Sequence, residues 1–118
     1  MTALPPSDST ASFDQSAAEA ARFLKNFAHE GRLKILCHLA DGEKSVSELE
    51  QLLNARQAAV SQMLARLRED KLVDTRRSGK TVYYSVTDTT ISQIIGVLFE
   101  RFCATDAQGE AEMADLVD

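Results

Sequence analysis

Apolar residues of this chain recur at intervals of three and four in five segments, which is the spacing of amphipathic helices. The segments lie at about residues 14–27, 33–40, 49–53, 57–70 and 91–102. The second segment is apolar around most of its circumference, which indicates burial on several sides. The pattern therefore predicts a mainly helical protein with a buried second helix.

A β-hairpin is predicted between the fourth and fifth helices. Leu72 and Val73 begin a strand, and the segment 76–80, with sequence RRSGK, has the composition of a turn. Apolar and more polar residues then alternate over 82–86, which is the period of a returning strand.

Local signals set the helix boundaries and the order of elements. Ser45 and Glu48 have the spacing of a capping box, and Asn54 ends the short helix that follows. The next helix starts at Gln57, so the two helices form a helix-turn-helix. Asp88 caps the last helix. Four helices, a hairpin and a fifth helix predict a mainly α, winged helix-turn-helix fold.

The chain, at 118 residues, has the length of one domain. Residues 1–12 are rich in Pro, Ser and Thr and lack periodicity, which predicts a disordered N-terminal tail. The winged domain is predicted at 13–104 and an acidic C-terminal tail at 105–118. Because no leader peptide and no membrane-length apolar stretch is evident, we expect a cytoplasmic protein.

A core this small gains stability from a second subunit, so a homodimer is predicted. The first and last helices carry the apolar stripes best suited to its interface, although the same residues also suit the core of one chain. The candidates are Phe13, Ala17, Ala20, Leu24, Ile91, Ile94, Ile95, Leu98 and Phe102.

The charge of the chain is unevenly distributed, which changes the meaning of its net value of -5. Between residues 56 and 80 there are seven basic and three acidic residues, a local balance of +4. A confined basic segment over a helix-turn-helix and its wing is typical of a small DNA-binding domain.

Two sets of residues are candidates for DNA contact, although each residue also suits a solvated surface. Short polar side chains at the start of the second helix of the motif suit base edges in the major groove, and they are Gln57, Ala58, Ser61 and Gln62. Cationic side chains suit phosphates or, on the wing, the minor groove. They are Arg56, Arg66, Arg68, Arg76, Arg77 and Lys80.

An enzyme is not indicated by the sequence. The segment 78–81 resembles the end of a phosphate-binding loop, but Asp74 stands where that motif requires glycine, and a strand follows instead of a helix. Cys37 and His38 are adjacent on a helix and project about 100° apart, so they form no catalytic dyad. A winged module that binds protein is the other non-enzymatic possibility, and salt-sensitive binding to duplex DNA distinguishes the two.

The segment from Leu33 to Val86 closely resembles the ArsR/SmtB family of winged-helix repressors. The resemblance is carried by SVSELEQLL, VSQMLARLRE and KLVDTRRSGKTVYYSV at their mutual spacing. It implies a dimeric repressor that binds double-stranded operator DNA with an inverted repeat. One departure is Arg56, which stands where such proteins often have a Ser cap.

Metal sensing, which is common in this family, has little support in the residues. The Cys-x-Cys pattern is absent from the second helix, where Cys37 stands alone, and the last helix lacks the spaced Asp/His/His/Glu set. His29 and His38 lie far from Cys103 in sequence. We therefore predict no metal and no cofactor.

One cysteine on the second helix and one near the end of the last resemble the arrangement in the persulfide-sensing branch of the family. The resemblance implies that reactive sulfur species convert Cys37 and Cys103 into a disulfide or polysulfide bridge. DNA is then released and sulfide-detoxification genes are derepressed. A metal- or metalloid-responsive repressor with these two ligands, a general thiol-redox repressor and two buried structural cysteines stay open as alternatives.

Overall fold

The computed structural model describes residues 10–103 of the chain and contains five helices and three strands within them. The elements are α1 (Thr10–Ala28), α2 (Glu30–Ala40), β1 (Lys44–Ser45), α3 (Val46–Leu53), α4 (Gln57–Glu69), β2 (Val73–Ser78), β3 (Thr81–Val86) and α5 (Thr89–Phe102). The predicted order of helices and hairpin is confirmed, with β1 as an addition.

The wing is a three-stranded antiparallel sheet in the order β1-β3-β2. Lys44 pairs with Tyr84, so β1 joins the outer edge of β3. Sequence periodicity missed β1 because two residues are too few to show alternation.

The predicted turn at 76–80 is too long. Ser78 pairs with Thr81, which leaves Gly79 and Lys80 as a two-residue hairpin loop and places Arg76 and Arg77 on β2. Gly79 has a φ of 62°, which the primed turns of two-residue hairpins require and glycine adopts without strain.

The predicted helix signals act as expected at three boundaries. The Ser45 hydroxyl accepts from the Glu48 N–H at 3.2 Å, and the Glu48 carboxylate accepts from the Ser45 N–H at 2.8 Å, which completes the capping box. Asn54 ends α3 in the left-handed region with a φ of 51°. The Asp88 carboxylate caps α5 by accepting from the backbone of Thr90 and Ile91.

The first helix begins earlier than predicted, at Thr10 instead of about residue 14. The last three residues of the predicted N-terminal tail are therefore helical. Apolar spacing could not show this, because residues 12–22 of α1 are exposed and need no apolar face. The remainder of both predicted tails, 1–9 and 104–118, lies outside the described residues.

The hydrophobic core is built around α2, which contacts every other helix and β3. Ile35 and Leu36 on this helix have no exposed surface. Within 10–103, no helix is long and apolar enough to cross a membrane.

Candidate functional site

The recognition helix α4 has one buried face and one exposed face. Val60, Leu64 and Leu67 have no exposed surface and pack into the core. The opposite face presents the four residues predicted to contact bases, all of them exposed: Gln57, Ala58, Ser61 and Gln62. Because α3 and α4 are separated only by residues 54–56, the core holds this face at the protein surface.

Arg56 stands at the start of α4, where similar repressors often have a Ser cap. It is the N-cap residue of α4, has extended backbone angles and makes no side-chain capping hydrogen bond. Its exposed guanidinium lies at the same end of the helix as the base-contact candidates.

The cationic DNA-contact candidates fall into two groups in the structure. Arg68, Arg77 and Lys80 are exposed. Arg66 and Arg76 are also exposed, but each is held by a carboxylate: Arg66 by Asp70 at 3.1 Å and Arg76 by Glu43.

Arg76 is fixed to the body of the domain by Glu43. The Arg76 Nε donates to one carboxylate oxygen at 3.2 Å, and its Nη2 donates to the other. The guanidinium carbon Cζ lies 5.0 Å from the centre of the Tyr83 ring. The hydrogen bond to Arg76 lowers the pKa of Glu43, and the same bond raises the pKa of Arg76. Sequence reasoning did not find Glu43, because nothing in the linear pattern connects positions 33 residues apart.

The two cysteines line a common cavity between α2 and α5. Cys37 is half-buried on α2, and Cys103, which is 7% exposed, directly follows α5; both are free thiols. Burial raises the pKa of the Cys37 thiol, and Cys103 raises it further because two thiolates this near would repel each other. The structure therefore brings together a pair that lies 66 positions apart in the sequence.

Both thiols line one cavity of about 450 Å³, whose walls are mainly apolar. Its other lining residues are Phe27, Glu30, Leu33, Lys34, Ile95, Leu98, Phe99 and Phe102. Cys37 also borders a second cavity of about 440 Å³ with His38, Asp41 and Ser92. Cys37 can thus be approached from two sides.

Cys37 and Cys103 can react as free thiols. Among residues 10–103, no three His, Cys, Asp or Glu side chains are grouped so that they could hold a metal ion. A cysteine pair without further ligands can undergo sulfur exchange, in which a thiolate attacks a sulfur–sulfur bond.

The predicted dimer-interface residues divide between surface and core. Phe102 is 62% exposed and Leu24 is 50% exposed, whereas Ile94 and Leu98 are half-buried. Phe13, Ala17 and Ala20 are exposed on α1. Ile91 and Ile95 are 0% and 6% exposed and belong to the core of the chain, which is the other role that the sequence allowed for these residues.

Val97 was missed as a surface residue, although it is 66% exposed on α5. The stripe pattern alone does not say which part of a wide apolar face a neighbouring helix of the same chain covers. Ile91 and Ile95 belong to the core cluster, and α5 packs against α2 and β3, whereas Val97 and Phe102 stay exposed.

The helix-turn-helix, its exposed polar face and the wing define a winged-helix DNA-binding protein. Residues 29–75 match the model of the bacterial regulatory protein family arsR. The biofilm growth-associated repressor of Xylella fastidiosa is 40% identical over 95 residues, which make up 80% of this chain and 83% of that protein. The chain belongs to the ArsR family of transcriptional regulators, which bind DNA and are not enzymes.

Solved structures agree with this assignment. Reduced HlyU from Vibrio cholerae superposes with a TM-score of 0.73 at 42% identity, covering 78% of this chain and 97% of that chain. The homodimeric winged helix-turn-helix domain of Mb0332 from Mycobacterium bovis superposes with a TM-score of 0.70 at 25% identity, covering 79% and 86%. The winged fold is thus confirmed, and it occurs in a dimeric neighbour.

Proposed function

We propose that this regulator is a dimeric repressor whose Cys37 and Cys103 sense persulfides and release operator DNA. The observation that carries the proposal is the placement of both thiols on one apolar cavity, where Cys103 lies near enough to raise the pKa of Cys37. The shared cavity gives both thiols a common site that a small sulfur compound could enter.

The chemistry needs no oxidant other than the persulfide. The Cys37 thiolate attacks the terminal sulfur of an organic persulfide, RSSH, forming Cys37–S–SH and releasing the thiolate RS⁻. The Cys103 thiolate then attacks the inner sulfur of Cys37–S–SH, forms a disulfide and releases HS⁻. If both cysteines carry an added sulfur, attack of one persulfide on the other releases HS⁻ and leaves a three-sulfur bridge.

We place the first transfer on Cys37 because this thiol is the more exposed and borders both cavities. A disulfide needs Cα atoms about 4.4 to 6.8 Å apart, so a pair held farther apart favours a longer bridge. Such a pair would respond to persulfide more readily than to peroxide.

The bridge can act on DNA binding through α2. This helix carries Cys37 and contacts both α5, which Cys103 directly follows, and the recognition helix α4. A covalent link between α2 and the end of α5 therefore acts directly on the helix against which α4 packs. A hundredfold loss of DNA affinity corresponds to a coupling free energy of about 2.7 kcal/mol.

The exposed faces of α1 and α5 support the dimer. Phe13, Leu24, Val97 and Phe102 are large apolar residues that are 43–66% exposed, and burying them in a symmetric interface would present two recognition helices to an inverted repeat.

The test uses the reduced full-length chain and a DNA duplex selected from a random pool by that protein. DNA affinity is measured before and after glutathione persulfide, with hydrogen peroxide and zinc in parallel, and intact mass reports each bridge. We expect loss of binding with a Cys37–Cys103 crosslink after persulfide, and no loss in Cys37→Ser or Cys103→Ser.

The zinc and peroxide treatments distinguish the alternative functions. Release by zinc alone would show a metal-responsive regulator, and equal release by peroxide and persulfide would show a general thiol-redox regulator. Unchanged binding despite a formed crosslink would show that the cysteines do not regulate DNA binding. His38→Gln is the matched control, because it changes the neighbour of Cys37 and leaves both thiols in place.

A further inference from the structure

A buried carboxylate connects the recognition helix to α1. Asp70 follows the last residue of α4, and its side chain is 2% exposed. One carboxylate oxygen accepts from Nε of Arg22 at 3.1 Å, and the other accepts from Nδ2 of Asn26 at 3.0 Å and from Nε of Arg66 at 3.1 Å. Arg22 and Asn26 belong to α1, 48 and 44 positions away in sequence.

This arrangement is not explained by the stability of α4 alone. A carboxylate at the C-terminal end of a helix faces the negative pole of the helix dipole, and a buried charge is costly unless it is well paired. Burial raises the pKa of Asp70, but the hydrogen bonds from Asn26, Arg66 and Arg22 outweigh it and hold the pKa below its usual value. Contacts from α1 thus help to offset both the burial of the Asp70 charge and its position at the negative end of α4.

Asn26 adds a buried hydrogen bond of defined geometry to the connection between α1 and Asp70. It has no exposed surface, and its amide nitrogen donates to Asp70. Its amide oxygen is buried without a hydrogen-bond partner among the described residues. An amide held inside the protein in this way fixes the lateral position of Asp70 against α1, which apolar contacts alone specify less strictly.

We propose that Asp70 is a positioning residue for operator binding, which fixes the angle of the recognition helix relative to α1 through Arg22 and Asn26. The inference rests on the dimeric operator binding proposed above. Since α1 carries exposed apolar residues suited to the dimer interface, its angle to α4 sets the separation and rotation of the two recognition helices. The cluster would therefore determine how strictly the dimer selects the spacing of its half-sites.

The consequence can be measured on DNA. Adding or removing one base pair between half-sites changes their separation by about 3.4 Å and their relative rotation by roughly 35°. A rigid connection between α1 and α4 penalises both changes strongly. A loosened connection tolerates them, so the preference for one spacing becomes weaker even where the protein stays folded and dimeric.

The experiment measures the affinity of the reduced protein for three duplexes that carry the selected half-sites at the selected spacing and at one base pair less or more. We expect the wild-type chain to prefer one spacing by at least tenfold. Arg22→Gln and Asp70→Asn should reduce this ratio several-fold, and the double variant should reduce it little beyond Asp70→Asn.

Lys25→Gln is the matched control, because it removes a positive charge from an exposed position of the same helix outside the cluster. It should retain the wild-type spacing ratio. Arg22 is 65% exposed at its side chain, so Arg22→Gln carries the test if Asp70→Asn fails to fold.

Three outcomes would overturn the inference. An equal loss of affinity on all three duplexes would show that the cluster only stabilises the fold. A smaller salt dependence in Arg22→Gln than in Lys25→Gln, with an unchanged spacing ratio, would show that Arg22 contacts phosphate instead. A wild-type protein without any spacing preference would overturn dimeric operator binding itself.

Discussion

The guanidinium of Arg76 on the wing donates to both carboxylate oxygens of Glu43, which lies immediately before β1. A residue predicted from its charge to contact DNA is therefore held, in the free protein, by an acidic partner on the same surface. Because Glu43 is itself exposed, this ion pair contributes little to stability. The pair instead orients the Arg76 guanidinium and compensates its positive charge.

Removing the Glu43 charge should strengthen DNA binding. In Glu43→Gln the wing has one uncompensated positive charge more, so affinity for any duplex should rise a few-fold at low salt, and the slope of log affinity against log salt should steepen by about one. Glu100→Gln on α5 is the matched control, because it makes the same charge change away from the wing. Weaker binding in Glu43→Gln would mean that the pair is needed to hold the wing in place.

Base-contact and phosphate-contact residues should differ in their effects. Gln62→Ala should cost about 1–3 kcal/mol on the selected operator and relax the preference at one base position, because it removes a bidentate partner. Arg77→Gln should weaken binding to all sequences alike and lower the salt slope by about one. Titrations of both variants against selected and scrambled duplexes separate the two patterns, and a uniform loss in Gln62→Ala would remove that residue from the base-contact set.

The reactivity of Cys37 should rise with pH and depend on Cys103. The raised pKa of Cys37 means that its thiolate becomes abundant only at higher pH than in the unfolded chain. Cys103→Ser removes the smaller of the two causes, so the midpoint of the Cys37 alkylation rate should move to lower pH and stay above that of the denatured protein. Mass-resolved alkylation of Cys37 across pH measures both midpoints, and coincident midpoints in wild type and Cys103→Ser would contradict a neighbouring pair.

Acid should reduce the stability contributed by Asp70. Because its pKa is lowered in the folded state, that contribution is present above the unfolded pKa and is lost as pH falls through the folded value. Asp70→Asn should therefore lower the free energy of unfolding at neutral pH, by about 1.5–3 kcal/mol for a lost charged hydrogen bond, and converge with wild type in acid. Urea titrations between pH 3 and 7 test this, and a difference that does not vary with pH would show that the Asp70 charge is not involved.

The helices were predictable from sequence because their signals are local. Apolar spacing, the Ser45 and Glu48 capping box and the Asp88 cap each act within a few residues, and the structure follows them. The prediction was weaker where no local signal exists, as at β1, which forms only because Lys44 and Ser45 pair with distant β3. The wing turn was predicted too long for the same reason, since cross-strand pairing decides which residues belong to the strands.

The candidate DNA surface was also set largely by sequence, because exposed and buried faces of α4 alternate with the helical period. What sequence could not show was the state of each cation. Arg66 and Arg76 carry the same charge as Arg77, yet carboxylates brought in by the fold hold the first two.

By itself, the sequence determined the order of helices, their caps and the face of α4 that meets solvent, since neighbours three or four positions apart control these features. Only the tertiary structure decided that Cys37 and Cys103 share a cavity, that Asp70 is held by α1 and that Ile91 and Ile95 belong to the core. Each of these depends on how helices distant in the chain pack around α2, and a contact between distant residues leaves no periodic trace in a single sequence.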